Sequence, residues 1–183
     1  MDTNTLIIVA AVVVALIIVV MLIGKARRSA HLKSQFGDEY DRTVEAVGDK
    51  HKAKVELRDR EKRVKAFDLR PLHPADRTRF TTAWTAVQAE FVDDPRAAVS
   101  HADELVTEVM TTRGYPMTDF DQRYADLSVD YPHVVQNYRS GHDSYLKHTR
   151  GDAGTEDLRQ AMIHYRALFE DLAKVDVDPA KPA

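Results

Sequence analysis

The sequence predicts an all-α protein: one N-terminal transmembrane helix, a long charged connector helix and a small bundle of about five helices joined by short loops. Three observations carry that expectation. No segment sustains the strict alternation of a half-buried strand. Apolar residues instead recur every three or four positions between proline, glycine and acidic punctuation, and one run, over residues 6–23, is apolar at every position. Outside that run the 183-residue chain has room for one domain. An apolar content of 44% argues against a wholly disordered chain, and the absence of cysteine excludes a disulfide framework, a thiolate metal site and a cysteine nucleophile.

Residues 6–23 read LIIVAAVVVALIIVVMLI, and at about 1.5 Å per residue this helix reaches roughly 27 Å, near the ~30 Å hydrocarbon core. The competing readings are a buried core helix and a cleaved signal peptide. A signal peptide needs a basic start and a shorter apolar region, whereas residues 1–5 carry no Lys or Arg and the run ends in Gly24-Lys25-Ala26-Arg27-Arg28. Residues 6–24 are therefore expected to be an uncleaved span. Lys25, Arg27, Arg28 and Lys33 follow it and no cation precedes it, which predicts residues 1–5 as a short non-cytoplasmic stub and a cytoplasmic C-terminal domain in a cell membrane. The same four cations are the candidate contacts with anionic lipid headgroups, or else only fix the topology. Ala11 and Ala15 are spaced for close helix pairing, which points to weak homo-oligomerisation at most.

Charge is segregated. Residues 25–70 hold 14 Lys or Arg against 9 Asp or Glu, net +5, and residues 71–183 hold 12 against 19, net −7. Within 38–67 there is no proline and one glycine, Gly48, which predicts a connector helix with a thin apolar stripe at Ala46, Ala53, Leu57, Val64 and Phe67. Glu56-Arg60 and Glu61-Lys65 are acid-before-base pairs four apart. A thin stripe suits an exposed connector or one seam of a weak coiled coil. Lys50, Lys52, Lys54, Arg58, Arg60, Lys62 and Arg63 are interleaved with acids and accompany no recognition motif, which disfavours nucleic acid as a partner.

From residue 71 to 173 lies the expected bundle, with 11 of the 14 aromatic residues. Pro74 opens a helix bearing Phe80, Trp84, Val87 and Phe91. Asp94-Pro95 starts another, buried through Val99, Ala102, Leu105, Val106, Val109 and Met110 and stopped by Arg113-Gly114 before Pro116. Thr118 with Asp121 predicts a cap for a short helix carrying Tyr124 and Leu127. The segment from Asp130 to Pro132 opens the next, with Val134, Val135, Tyr138, Tyr145 and Leu146 on one side. Thr155 caps the last, whose stripe is Leu158, Ala161, Met162, Tyr165, Leu168, Phe169 and Leu172. Residues 174–183 form the expected frayed tail.

The search for chemistry is mostly negative. His133, His142, His148 and His164 lie near Asp143 and Asp152, yet no pair has the four-residue spacing that puts two ligands on one helical face. Asp93-Asp94 and Asp119-x-Asp121 sit where helix caps belong, and the second lacks the further carboxylate and the glycine of an EF-hand loop. Phosphate loops, nucleophile elbows and kinase signatures are absent. No metal and no cofactor is expected. Arg113 with Tyr115, and Asn137 with Arg139 beside Tyr138, exceed what packing alone demands. Together with His133 and His142 they are the candidate lining of a partner or ligand groove; a helix stop and a structural Tyr–Arg stack are the alternative.

One order of motifs runs through nearly the whole chain: Phe36-Gly37-Asp38-Glu39-Tyr40-Asp41-Arg42, Phe91-Val92-Asp93-Asp94-Pro95, Arg113-Gly114-Tyr115-Pro116, Asn137-Tyr138-Arg139, and residues 155–162 running into His164-Tyr165-Arg166. It resembles a family of bacterial single-pass, membrane-anchored helical proteins of unknown function, often labelled secreted. The resemblance implies a bacterial origin and one domain kept together, and it brings no activity, cofactor or partner. The function expected is a membrane-tethered module that binds another protein. The alternatives are a small-ligand-binding or enzymatic domain using the His/Asn/Arg pocket, and anionic-lipid or nucleic-acid binding through the basic stretch.

The orientation is open to a direct test, because the chain has no native cysteine. With Lys181→Cys, a membrane-impermeant maleimide should label the protein only after cell lysis; labelling of intact cells would put the domain outside.

Overall fold

The computed structural model describes residues 29–150 and 154–174, with 16–17, 19–21, 23–24 and 27 ahead of them. Most of the expected span, the cations Lys25 and Arg28, and the tail from 175 on lie outside the described residues. Among the described residues no helix is long and apolar enough to cross a membrane. Those described before residue 25 are helical and expose Leu16, Ile17, Val19, Val20, Met21 and Ile23. Of the other two expected headgroup contacts, Arg27 is exposed, and Lys33 is exposed and 3.5 Å from Asp41.

Among the described residues all the regular structure is helical: beyond residues 29–36, it comprises α1 (Asp38–Val47), α2 (Lys50–Val64), α3 (Pro74–Asp93), α4 (Pro95–Arg113), α5 (Phe120–Asp130), α6 (Val135–Thr149) and α7 (Thr155–Ala173). Two compact units divide at Asp59 and Arg60. In the first, Leu32, Phe36, Tyr40, Ala53 and Leu57 are buried. The single connector helix expected over 38–67 is broken in two. Gly48 takes a left-handed conformation, φ +70°, and closes α1 with its N–H on Val44 O at 3.0 Å. Asp49 Oδ1 then accepts from the His51 and Lys52 N–H groups, both at 2.8 Å, and opens α2. Ala53, Leu57 and Val64 of the thin stripe are buried and Ala46 is exposed, so α2 is not the fully exposed connector expected.

The second unit begins ahead of Pro71 because the end of α2 belongs to it. The Asp126 carboxylate, 2% exposed on α5, takes Nε and Nη2 of Arg63, each at 2.7 Å, and Gln122 Nε2 at 3.0 Å. Arg60 Nη1 reaches Ser128 Oγ at 3.3 Å.

Helix starts and faces follow the sequence closely. Pro74 is the first residue of α3, whose preceding His73 accepts from Ala75 N–H through Nδ1 at 3.4 Å. Asp94 caps α4 through Arg96 and Ala97 N–H groups. Three local details differ from expectation. Asp119, not Thr118, caps α5, accepting from Gln122 N–H at 3.0 Å; a turn over 132–134 precedes α6; and α7 opens at Gly154, whose N–H donates to Asp157 Oδ2 at 3.0 Å. Every stripe residue named for α4 and α7 is buried, while Leu146 of α6 is 41% exposed. Helix α4 packs against α3, α6 and α7, with α6 also on α5 and α7. Trp84 of α3 stacks on Phe169 of α7 at 4.9 Å, joining the two outer helices over the core.

Gly114 stops α4 at φ +95°, and a Cβ built on it would stand 2.4 Å from Asp68 O. Left-handed backbone alone costs a non-glycine roughly 1–2 kcal/mol. Gly114→Ala should therefore lose more than about 2 kcal/mol in urea unfolding; a loss under about 1 kcal/mol would contradict the close approach of backbone to backbone.

Candidate functional site

The six residues proposed for one groove divide between two places. Arg113, Tyr115 and His133 meet where α4, α5 and α7 end. Arg113 Nη1 donates to Leu172 O at 2.8 Å and its guanidinium lies 5.6 Å from the Tyr131 ring. Tyr115 donates through its hydroxyl to Asp130 Oδ2 at 2.6 Å, and burial, reinforced by Asp130, pushes that hydroxyl far above the ordinary phenol range. Both side chains are buried, 5% and 4% exposed, so they hold helix ends together and line no open surface. His133 is exposed, with Nε2 2.6 Å from Oδ2 of the buried Asp171; Lys174 Nζ reaches Oδ1 of the same carboxylate.

Asn137, Arg139 and His142 lie on α6. Asn137 Oδ1 accepts from His164 Nδ1 at 3.0 Å, joining α6 to α7. The Arg139 guanidinium covers the Tyr124 ring at 4.1 Å, and Gln136 Nε2 donates to Tyr124 Oη. His142 stacks on Phe120, with ring centroids 3.8 Å apart and planes 9° apart. Tyr138, one turn back along α6, lies 4.8 Å from Phe120 and is fully buried. Tyr165 crosses from α7 beside Gly141, where a Cβ would meet its ring at 3.1 Å, and donates to Asp103 Oδ1 on α4 at 2.8 Å. Burial raises the hydroxyls of Tyr138 and Tyr165 well above the usual phenol range. These contacts form a polar junction among α4, α5, α6 and α7. Among the described residues no group of three His, Asp or Glu is placed to hold a metal ion, and the His148 side chain lies outside the description.

A second feature lies on the outer side of α7. Trp84, Gln88 and Phe91 of α3 face Arg159, Met162, Ile163 and Arg166 of α7 around a cavity of about 180 Å³. Its rim carries both signs: Arg159 is held bidentately by Glu156 at 2.8 and 2.6 Å, and Arg166 by Glu170 at 2.7 Å. Sequence reasoning assigned Trp84, Phe91 and Met162 to the core and passed over Ile163, which is 46% exposed. The signal was present in the spacing: Arg159, Ile163 and Arg166 fall at i, i+4 and i+7, a second stripe beside the core stripe. Compared with protein-family models, curated proteins and solved structures, the chain matches none.

Two histidines at the junction set a pH dependence. Burial lowers the pKa of His142, against the opposing fields of Asp103 on α4, Asp121 on α5 and Asp143 on its own helix, and with that of Arg123; burial alone lowers His164. A base whose folded pKa is depressed contributes its stability in full above the unfolded value near 6.5 and loses it as pH falls below that value. His101 has the opposite sign, raised by its 2.7 Å bond to Glu90, but it is exposed and screened. The melting temperature should fall from pH 7.5 to 5.5, and His142→Gln with His164→Gln should flatten that fall; an unchanged slope would contradict the assignment.

Proposed function

We propose that the protein is a membrane-tethered helical interaction module whose groove between α3 and α7 receives an apolar anchor from a partner protein. The observation that carries this reading is the exposed apolar groove itself. Its volume of about 180 Å³ is below the roughly 300–1,000 Å³ of sites that enclose a whole small molecule, and it suits one or two side chains of a docking helix. Ile163 and Met162 supply apolar area on one wall and Trp84 and Phe91 on the other, and the paired charges at the rim favour register over raw affinity. The exposed apolar residues among 16–23 support the tether, and Lys25, Arg27, Arg28 and Lys33 support a cytoplasmic domain on a bacterial inner membrane. Tethering raises the local concentration of the module near membrane partners, which makes a shallow groove sufficient.

A photo-crosslinking residue at Ile163 in the full-length, membrane-inserted chain should give one adduct of discrete mass, and the same residue at exposed Thr85 should give none. Ile163→Glu should weaken the captured partner's binding about tenfold or more, the worth of one buried aliphatic side chain. Equal adducts from both positions, or none, would overturn the reading.

A further inference from the structure

Three buried polar atoms at the α4–α7 junction have no hydrogen-bond partner: Nε of Arg123 on α5, and Oη of Tyr138 and Nδ1 of His142 on α6. Phe120 lies among the residues that carry them. Its ring packs against both Tyr138 and His142, and Arg123 lies three residues on, along the same face of α5. The Arg123 charge acts on both Tyr138 and His142, and so does that of Asp103 from α4. Burying such atoms without a partner is costly, most of all for a charged group, so the three together favour an acceptor between them.

The chemistry of a fitting partner follows from the atoms. Arg123 Nε can only donate, the Tyr138 hydroxyl can donate, and His142 donates from Nδ1 in that tautomer or when protonated. Of the carboxylates whose fields reach His142, Asp103 accepts from Tyr165, and Asp121 and Asp143 are exposed to solvent. The junction therefore presents donors around a cation that forms no ion pair with a carboxylate among the described residues. Arg123 and His142 are each half-buried, at the solvent side of the junction, whereas Tyr138 is 0% exposed and forms its inner wall.

We propose that Arg123, Tyr138 and His142 form an internal binding site for a small oxyanion of carboxylate or phosphate type. The ion sits between the guanidinium and the phenol, and protonation of His142 strengthens its hold. This site is separate from the α3–α7 groove and does not depend on it.

The test uses the full-length chain in detergent micelles, melted in sodium acetate or inorganic phosphate against sodium chloride of equal ionic strength. A saturable rise in melting temperature is expected with at least one of the two anions, and which one responds separates a carboxylate ligand from a phosphate. Arg123→Gln and Tyr138→Phe should each weaken the apparent affinity tenfold or more, since a hydrogen bond to a charged group is lost in each. Arg166→Gln, in the groove, should leave it unchanged. Affinity should also rise as pH falls from 7.5 to 6, and His142→Gln should abolish that rise. If Arg123→Gln does not fold, Tyr138→Phe, which removes one oxygen, carries the test. A response that never saturates, is absent with both anions, or persists in Tyr138→Phe overturns the site and leaves a trapped water as the occupant.

Discussion

The second unit depends on finding partners for one buried cation. Arg113 ends α4, the helix that touches α3, α6 and α7, and its guanidinium is carried inside rather than released to solvent. A buried charge is tolerable only where it is paired and hydrogen-bonded. The acceptor of its Nη1 is Leu172 O, one of the last-turn carbonyls of α7 that have no partner within their own helix, so one contact serves a cation and a helix end together. The neighbours of Arg113 extend the same knot. Its carbonyl accepts from Arg70 N–H at 2.9 Å, Gly114 lets the segment over Asp68 approach, and Tyr115 ties Asp130 at the end of α5. Three helix ends and the segment leading into α3 are fixed by consecutive residues.

A second buried charge sets the other boundary. Asp126 is held by Arg63 through two 2.7 Å contacts and by Gln122, a charge-assisted fork that is shorter and stronger than a neutral bond. Exposed pairs such as Arg79–Glu108 and Arg166–Glu170 have comparable distances but contribute little, because solvent screens them. The difference is desolvation. Removing Arg63 strands the Asp126 charge in the interior, which is why the end of α2 goes with the bundle although its sequence is that of a solvated, charged helix.

Helix α7 links these supports to the two candidate sites. One stripe of it fills the core, the edge of that stripe at Met162 and Ile163 lines the groove, and Tyr165 reaches Asp103 at the polar junction. Gly141 allows that reach by presenting no side chain where the Tyr165 ring passes. The two sites therefore differ in character: the groove is apolar, open and edged by paired charges, while the junction is polar, enclosed and short of acceptors. The first has the properties of a docking surface for a side chain and the second those of a small-ion site.

Most of the fold was legible in the sequence, because helices are specified by signals acting over three or four residues. Asp94-Pro95 before α4, Gly114 after it, and the stripes from Val99 to Met110 and Leu158 to Leu172 each state a local rule that the structure obeys. Gly48-Asp49 was an equally local stop and start, and the helix break there was readable from the same chemistry. The roles of the polar residues were not readable, because their partners are distant along the chain: Arg113 and Leu172 are 59 residues apart, Tyr165 and Asp103 62, Arg63 and Asp126 63. Spacing could say that Arg113 and Tyr115 were unusual. Only tertiary packing decided that Arg113 Nη1 and the Tyr115 hydroxyl meet helix ends, and that one buried atom each of Arg123, Tyr138 and His142 is left without a partner. The physical reason is that a hydrogen bond forms or fails within about 3 Å, a scale on which sequence separation carries no information until the chain has folded.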